Sequence, residues 1–309
     1  ALKRAIRTSD GFKARLAQRR GVRTQRLGET IQKHLVGKGQ TPEAALATAR
    51  RIAEVFGKLK DEKDANPAQI EQLAFISPEE QAQAIALADQ AASGKKLPDR
   101  KDELVEALLR KNDSAVDIAM FGRMLADNPE FNREAAVQIA HAITTHKVDV
   151  EDDFYTAVDD LKTRAEDAGA GFIGELGFGS GVFYTYACID KALLTSNLGG
   201  NAQLAGDAIA ALIEGLATAS PGGKQASFAS RARASYLRAE KGNQQPRSLA
   251  AAFFKPVRGD DLLALSIAAL GKTAGDMDKA YGACSDASTE MNVAAGTGTL
   301  HDVIAFARS

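Results

Sequence analysis

From Leu2 to Lys38 the apolar positions follow a helical period, broken near Gly21 and stopped by Gly37-Lys38-Gly39. The chain therefore opens on helix. Thr41-Pro42 then supplies an N-cap followed by proline at the first helical position. Leu46, Ala49, Ile52, Ala53, Phe56 and Leu59 recur on one face of that second helix. Asn66-Pro67 ends it, and the apolar run Ile70 to Ile76 fits a short strand. Ser77-Pro78-Glu79-Glu80 has the spacing of a capping box ahead of an alanine-rich helix. Asp102 to Arg110 forms one more. Ala115 to Phe121 and Ala135 to Thr145 read as strands. Gly169, Gly171, Gly174, Gly177, Gly179 and Gly181 predict a loop of flexible or closely approached backbone. It leads into Val182 to Ile189, a β-branched and aromatic strand. A helix over 202–217 stops at Ser220-Pro221-Gly222-Gly223, and Thr299 with Asp302 caps the last helix. There is no internal repeat. The pattern is that of a chain of mixed helix and strand.

Composition narrows the class further. With 309 residues, 45% of them hydrophobic and 26% charged, the chain is an ordinary globular protein of one large domain or two smaller ones. No apolar run is long enough for a membrane span, and no secretory signal opens the sequence. Cys188 and Cys284 form neither a CxxC pair nor a disulfide framework, which fits a reducing, cytoplasmic location. The sequence starts at Ala1-Leu2-Lys3-Arg4 without Met, so residues upstream of it are expected.

Charge changes the picture by its distribution, because the net value is only -1. Lys3, Arg4, Arg7, Lys13, Arg15, Arg19, Arg20, Arg23 and Arg26 face a single acid, Asp10, in the opening stretch. Lys224, Arg231, Arg233, Arg238, Lys241, Arg247, Lys255 and Arg258 are opposed only by Glu240. The acids gather at Asp149, Glu151, Asp152, Asp153, Asp159 and Asp160. Either basic run alone is equally well a solvated face. Two of them, segregated from the acids, favour a polyanion-binding surface.

Catalytic constellations are weak. His141 and His146 are five apart, on opposite sides of a strand, with no Cys or acid at zinc spacing. No Walker loop, GxSxG or HExxH occurs. Gly177-Phe178-Gly179-Ser180-Gly181 precedes a strand instead of joining strand to helix, which rules out a dinucleotide loop. No catalytic residue, metal site or cofactor is expected.

Six segments in order then carry a resemblance. They are Leu2-Lys3-Arg4-Ala5-Ile6-Arg7, Val116-Asp117-Ile118-Ala119-Met120-Phe121-Gly122-Arg123-Met124 and Ile139-Ala140-His141-Ala142-Ile143-Thr144-Thr145-His146. Asp153-Phe154-Tyr155-Thr156-Ala157-Val158-Asp159-Asp160-Leu161, Ser180-Gly181-Val182-Phe183-Tyr184 and Pro221-Gly222-Gly223-Lys224-Gln225 follow. Together they resemble the CasC (Cse-type) backbone subunits of the type I-E CRISPR surveillance complex Cascade, from the first residue to near the last. The resemblance implies an α+β, hand-shaped fold. Its modified RRM, ferredoxin-like palm would span 1–19 and 181–309, with the family's first strand missing upstream. A helical fingers insertion would span 20–140 and a β-hairpin thumb 141–180. It further implies a non-catalytic subunit that runs head-to-tail with other copies along a guide crRNA. Its partners would be the other Cascade subunits and target DNA, reached through the guide; no membrane is involved.

The same resemblance assigns RNA-binding residues. Lys3, Arg4 and Arg7 lie at i, i+1 and i+4 of a helix, and Arg4 also fits an outward orientation. They would hold phosphates, since a guide of variable sequence must be gripped by its backbone. Met124 has two readings, an apolar wedge beside a displaced base or a core methionine. Phe154, Tyr155 and Thr156 match the residues that cover the kink, with Tyr155 the preferred stacking face and Phe154 the alternate. Lys224 and Gln225 either touch RNA or shape their turn. Asp149, Asp152 and Asp153 carry a rival reading, cleavage of target RNA as in related type III subunits. A helical scaffold that binds no nucleic acid is a third.

Overall fold

The computed structural model describes residues 2–157, 172–220 and 222–309. Asp159, Asp160, Leu161, Gly169, Gly171 and Pro221, named above, lie outside the described residues. The N-terminal helical stretch is two helices, Leu2–Thr8 (α1) and Asp10–Leu16 (α2). Ser9 separates them: its Oγ accepts from the Phe12 amide at 3.3 Å, so a second helix starts there instead of the first continuing. Past a short 3-10 turn the chain forms a strand not expected from its pattern, Val22–Thr24 (β1), then Leu27–Gly37 (α3).

Pro42–Ala53 (α4) begins where its cap predicts, with the Thr41 side chain accepting from the Ala44 amide. The apolar run 70–76 yields strand only at Ala74–Ile76 (β2), which pairs antiparallel with β1. Pro78–Ala92 (α5) carries both bonds of the capping box between Ser77 and Glu80. Lys101–Leu108 (α6) follows. Leu27, Ile31, Leu35, Ala45, Ala49, Ile52, Ala84, Leu104 and Leu108 from these helices share one buried core. Each Leu or Ile buried there contributes about 1.5–3 kcal/mol of transfer free energy.

Val116–Phe121 is a helix (α7), not the strand its apolar run suggested. Ala119 N–H bonds the Ala115 carbonyl and Gly122 N–H the Ile118 carbonyl, the i to i+4 pattern. Val116 through Met120 are all buried, so no polar face marks the helical period. The expected strand 135–145 is cut to Val137–Ile139 (β3) and Ile143–Thr144 (β4).

Glu151–Ala157 (β5) and Phe172–Phe178 (β6) pair antiparallel. Gly174 and Gly177 therefore sit in a strand, where a loop was expected. Gly174 faces Tyr155 across the pair, and a Cβ on it would stand 2.5 Å from Tyr155 Cζ, so the missing side chain makes room for the ring. The strand expected over 182–189 is two, Phe183–Tyr184 (β7), paired with β4, and Ala187–Ile189 (β8), paired with β3. Lys191–Asn197 (α8) leads to the largely buried helix Ala202–Thr218 (α9) and the short Gln225–Phe228 (α10). Tyr236–Lys241 (β9), Leu262–Tyr281 (α11) and Ala287–Asn292 (β10) complete the chain before the capped Leu300–Arg308 (α12).

Two units partition these elements. One comprises Ala1–Gln138, Cys188–Glu240 and Ser288–Ser309, and the other Ile139–Ala187 and Lys241–Ala287. In the first, α9 packs against α1, α2, α8 and α12, and β9 pairs with β10. In the second, β4–β7 is tied to the segment beyond it: Thr145 bonds Val257 through the backbone and Ser266 through hydroxyls at 2.9 Å. The described residues form an α+β fold.

Candidate nucleic-acid interface

Helix α1 is short, and its basic residues are not equivalent. Lys3 and Arg4 are exposed, with Lys3 Nζ 5.6 Å from the centre of the Phe121 ring. Arg7 is largely spent within the fold. Its Nε donates to Asp117 Oδ2 at 2.8 Å, and Asp117 is fully buried. Asp117 Oδ1 accepts the Gly21 amide at 2.6 Å, and the Arg7 guanidinium lies 4.6 Å over Phe75. An ion pair so enclosed commits the arginine to the protein, because removing either partner would strand a charge. What reaches solvent is therefore Lys3 and Arg4, with only the remaining edge of Arg7.

Met124 is 79% exposed, which excludes the core reading. Its neighbours explain how it is held out. Arg123 and Leu125 on either side are buried, and Arg123 and Arg133 form a backbone bridge with bonds of 3.0 and 2.9 Å. The fully buried Arg123 guanidinium donates to Glu80 Oε2 at 2.6 Å and to the Phe75, Arg110 and Phe131 carbonyls. Glu80 holds the Arg110 amide with its other oxygen. Arg133 donates to the Arg110 carbonyl at 2.8 Å and to Asp113. Burial pushes the Asp113 carboxyl up and the Arg133 guanidinium down, so at that pair desolvation outweighs the attraction. Gly122 turns the chain into this mount at φ +79, where an added Cβ would meet the Arg133 carbonyl at 2.9 Å. An apolar side chain is thus fixed in water by a polar network beneath it.

The β5–β6 hairpin separates two aromatic residues. Alternation along the paired strands puts Glu151, Asp153 and Tyr155 on one face with Leu176 and Phe178. Asp152, Phe154 and Thr156 take the other with Glu175. Tyr155 lies against Gly174, whereas Phe154 is 68% exposed. Glu151, Asp152, Asp153 and Glu175 are exposed, and β5 and β6 contain no basic residue. The two strands therefore present acidic side chains and aromatic rings. Asp149 pairs with Lys147 at 2.8 Å, and among the described residues no three His, Cys, Asp or Glu side chains converge as metal ligands would. His146 is tied to backbone, Nδ1 to the Lys147 carbonyl at 2.7 Å and Nε2 to the Val182 amide at 3.0 Å.

Lys224 is exposed at φ +59, and Ala229 has φ +48; they cap the two ends of α10. Gln225 Nε2 donates to the Ser230 carbonyl, which is a turn-shaping bond. Thr218, Ser220, Gly222, Gln225, Arg231 and Arg233 line a cleft of about 470 Å³ beside this turn.

The first unit thus brings Lys3 to Phe121, just ahead of Met124 in the chain, while the hairpin residues belong to the second unit. Two residues that support this face were not singled out from the sequence. Phe75 stacks under arginines from distant positions, which no local pattern encodes. Asp117 did leave a signal, a lone acid inside an apolar run, the mark of a charge buried against a partner.

Sequence and fold comparisons agree in kind. No curated protein matches the chain. It is similar to a chain of a solved "CRISPR RNA-guided surveillance complex, pre-nicking", with 29% identity and a TM-score of 0.83 over 99% of this chain and 88% of that one. A chain of another "CRISPR RNA-guided surveillance complex" shares the fold at 24% identity and a TM-score of 0.71, over 99% and 87%. Residues 1–304 match the model of one protein family, so the chain belongs to the CT1975-like proteins.

Proposed function

We propose that this chain is a non-catalytic, cytoplasmic backbone subunit of an RNA-guided CRISPR surveillance complex of the type I-E, CasC kind. In this reading it grips the crRNA backbone with Lys3 and Arg4 and wedges Met124 beside a displaced base, while its hairpin aromatics reach toward the next copy and cover a kink there. The β5–β6 hairpin serves as the thumb. Lys224 and Gln225 border a second basic patch. Copies run head-to-tail along the guide, other complex subunits join them, and the exposed guide bases pair with target DNA. The similarity to chains of surveillance complexes supports the setting. One observation carries the role: an exposed methionine on a buried ionic mount, three residues after the phenylalanine over which Lys3 is held. A core gains nothing from that arrangement, whereas a base pushed out of a stack needs a firm apolar stop and a cation for the adjoining phosphate.

The test begins with protein purified from cells that express a guide array. It should carry RNA and absorb more strongly at the nucleic-acid maximum than at the protein maximum, a clean ratio because the chain has no Trp. Chemical probing of the bound RNA should show reactive bases at a regular interval. Nucleic-acid-free protein that also fails to bind added single-stranded RNA would defeat the reading. Metal-dependent cutting of complementary RNA would overturn its non-catalytic part.

A further inference from the structure

Phe75 is nearly buried on β2, and two arginines use its ring. Arg7 approaches to 4.6 Å from the centroid and is locked by Asp117. Arg23 stands directly opposite Phe75 in the β1–β2 register, so both side chains leave the same face of the pair. Its guanidinium is 5.1 Å from the same centroid. Unlike Arg7 it is exposed, and no acceptor among the described residues takes its donors. Phe75 packs with Ala115 and with Ile118 on the helix that carries Asp117.

We propose that Arg23, stacked on Phe75, is a phosphate-binding residue of this basic face, and that Arg7 is the half-buried strut that positions it. This rests on the RNA-binding reading above and names a residue beyond it. The physical case is preorganisation. A free arginine side chain carries substantial rotamer entropy, part of which must be given up on binding. One already laid on an aromatic face has surrendered some of that in the folded state, and its planar fork suits two phosphate oxygens at once. The ring attracts the cation but takes none of its hydrogen bonds. Arg7 keeps Phe75 seated from within by anchoring α1 to Asp117 and, through it, to the Gly21 amide just before β1.

The test uses the full chain, a short single-stranded RNA that seats one copy, and a salt titration. Replacing Arg23 with Gln should leave thermal stability unchanged, since the side chain is exposed. The slope of log affinity against log salt should become shallower by about 0.7, the single-strand value for one phosphate. Between roughly 50 and 200 mM salt the variant should therefore lose about 2.6-fold less affinity than the parent. Phe75→Leu keeps the charge but removes the platform, and should weaken binding with the slope intact. Arg7→Gln should lower stability first. If Arg23→Gln binds with parental affinity and slope while Lys3→Gln weakens binding, Arg23 is only a surface charge and the RNA-binding reading survives. If the parent chain binds no RNA, both fall together. A parental slope in Arg23→Gln with lowered stability would mark the residue as structural and also overturn the proposal.

Discussion

Adjacent residues can have opposite jobs, and Arg123 with Met124 shows it. Arg123→Ala would leave the Glu80 carboxylate buried without its partner, at a cost of about 3–5 kcal/mol, read by chemical denaturation. Met124→Ala should change stability by less than about 0.5 kcal/mol, because the side chain stands in water. Its effect should fall on the guide instead: the regular pattern of reactive bases should fade at nearly unchanged affinity. The site was legible in part at this scale. Lys3, Met124 and Tyr155 could be named from short motifs, and all three reach solvent. What the motifs could not show was commitment, since the acid that occupies Arg7 lies 110 positions away. A second prediction concerns Tyr236, whose hydroxyl bonds Glu290 across the β9–β10 pair. Burial and then that carboxylate push its phenol from 10.0 up to about 12. The neutral phenol is the form the fold favours, so its stabilisation is complete below pH 10 and is lost as pH rises through about 12. Phenolate absorbance should show one tyrosine titrating late, and Tyr236→Phe should remove that step.

At the scale of elements, helices with polar caps were readable, whereas the buried α7 and the glycine-bearing strand β6 were not. Thr41, Ser77 and Thr299 cap helices where their spacing predicts, because a cap is a local hydrogen bond. Helix α7 misled because it is buried all round, and α11 left little trace because only Ser266 and Ala274 along it are buried. Strand β6 looked like a loop because of its glycines, of which Gly174 answers to a ring on another strand. That dependence can be tested. Gly174→Ala should push the Tyr155 ring off its seat while the strand pairing holds. Probing of bound RNA should then resemble that of Tyr155→Ala, and the salt slope should stay parental. If Gly174→Ala leaves the probing pattern untouched, the seated ring is not what covers the base.

For the molecule as a whole, charge is sorted by unit in a way that net charge conceals. The exposed cations of α1 and β1 belong to one unit and the acidic hairpin to the other. Two such surfaces on one chain suit contact between successive copies, and a contact of unlike patches does not close on itself. Protein mixed with single-stranded RNA should form particles whose length grows with the RNA, followed by light scattering or electron microscopy. High salt should shorten them, since both phosphate grip and copy-to-copy attraction are screened. Particles of one fixed size at every RNA length would refute head-to-tail growth.

The placement of Phe154 and Tyr155 on opposite sides of one ribbon has a consequence for direction. A blade with two identical sides could enter a nucleic-acid strand either way round. This one offers a ring seated against glycine on one side and a freely projecting ring, with Thr156, on the other. The nucleotide before it and the nucleotide after it would meet different chemistry. Every copy would then have to point the same way along the strand, and the polarity of the whole track would be set by two consecutive side chains.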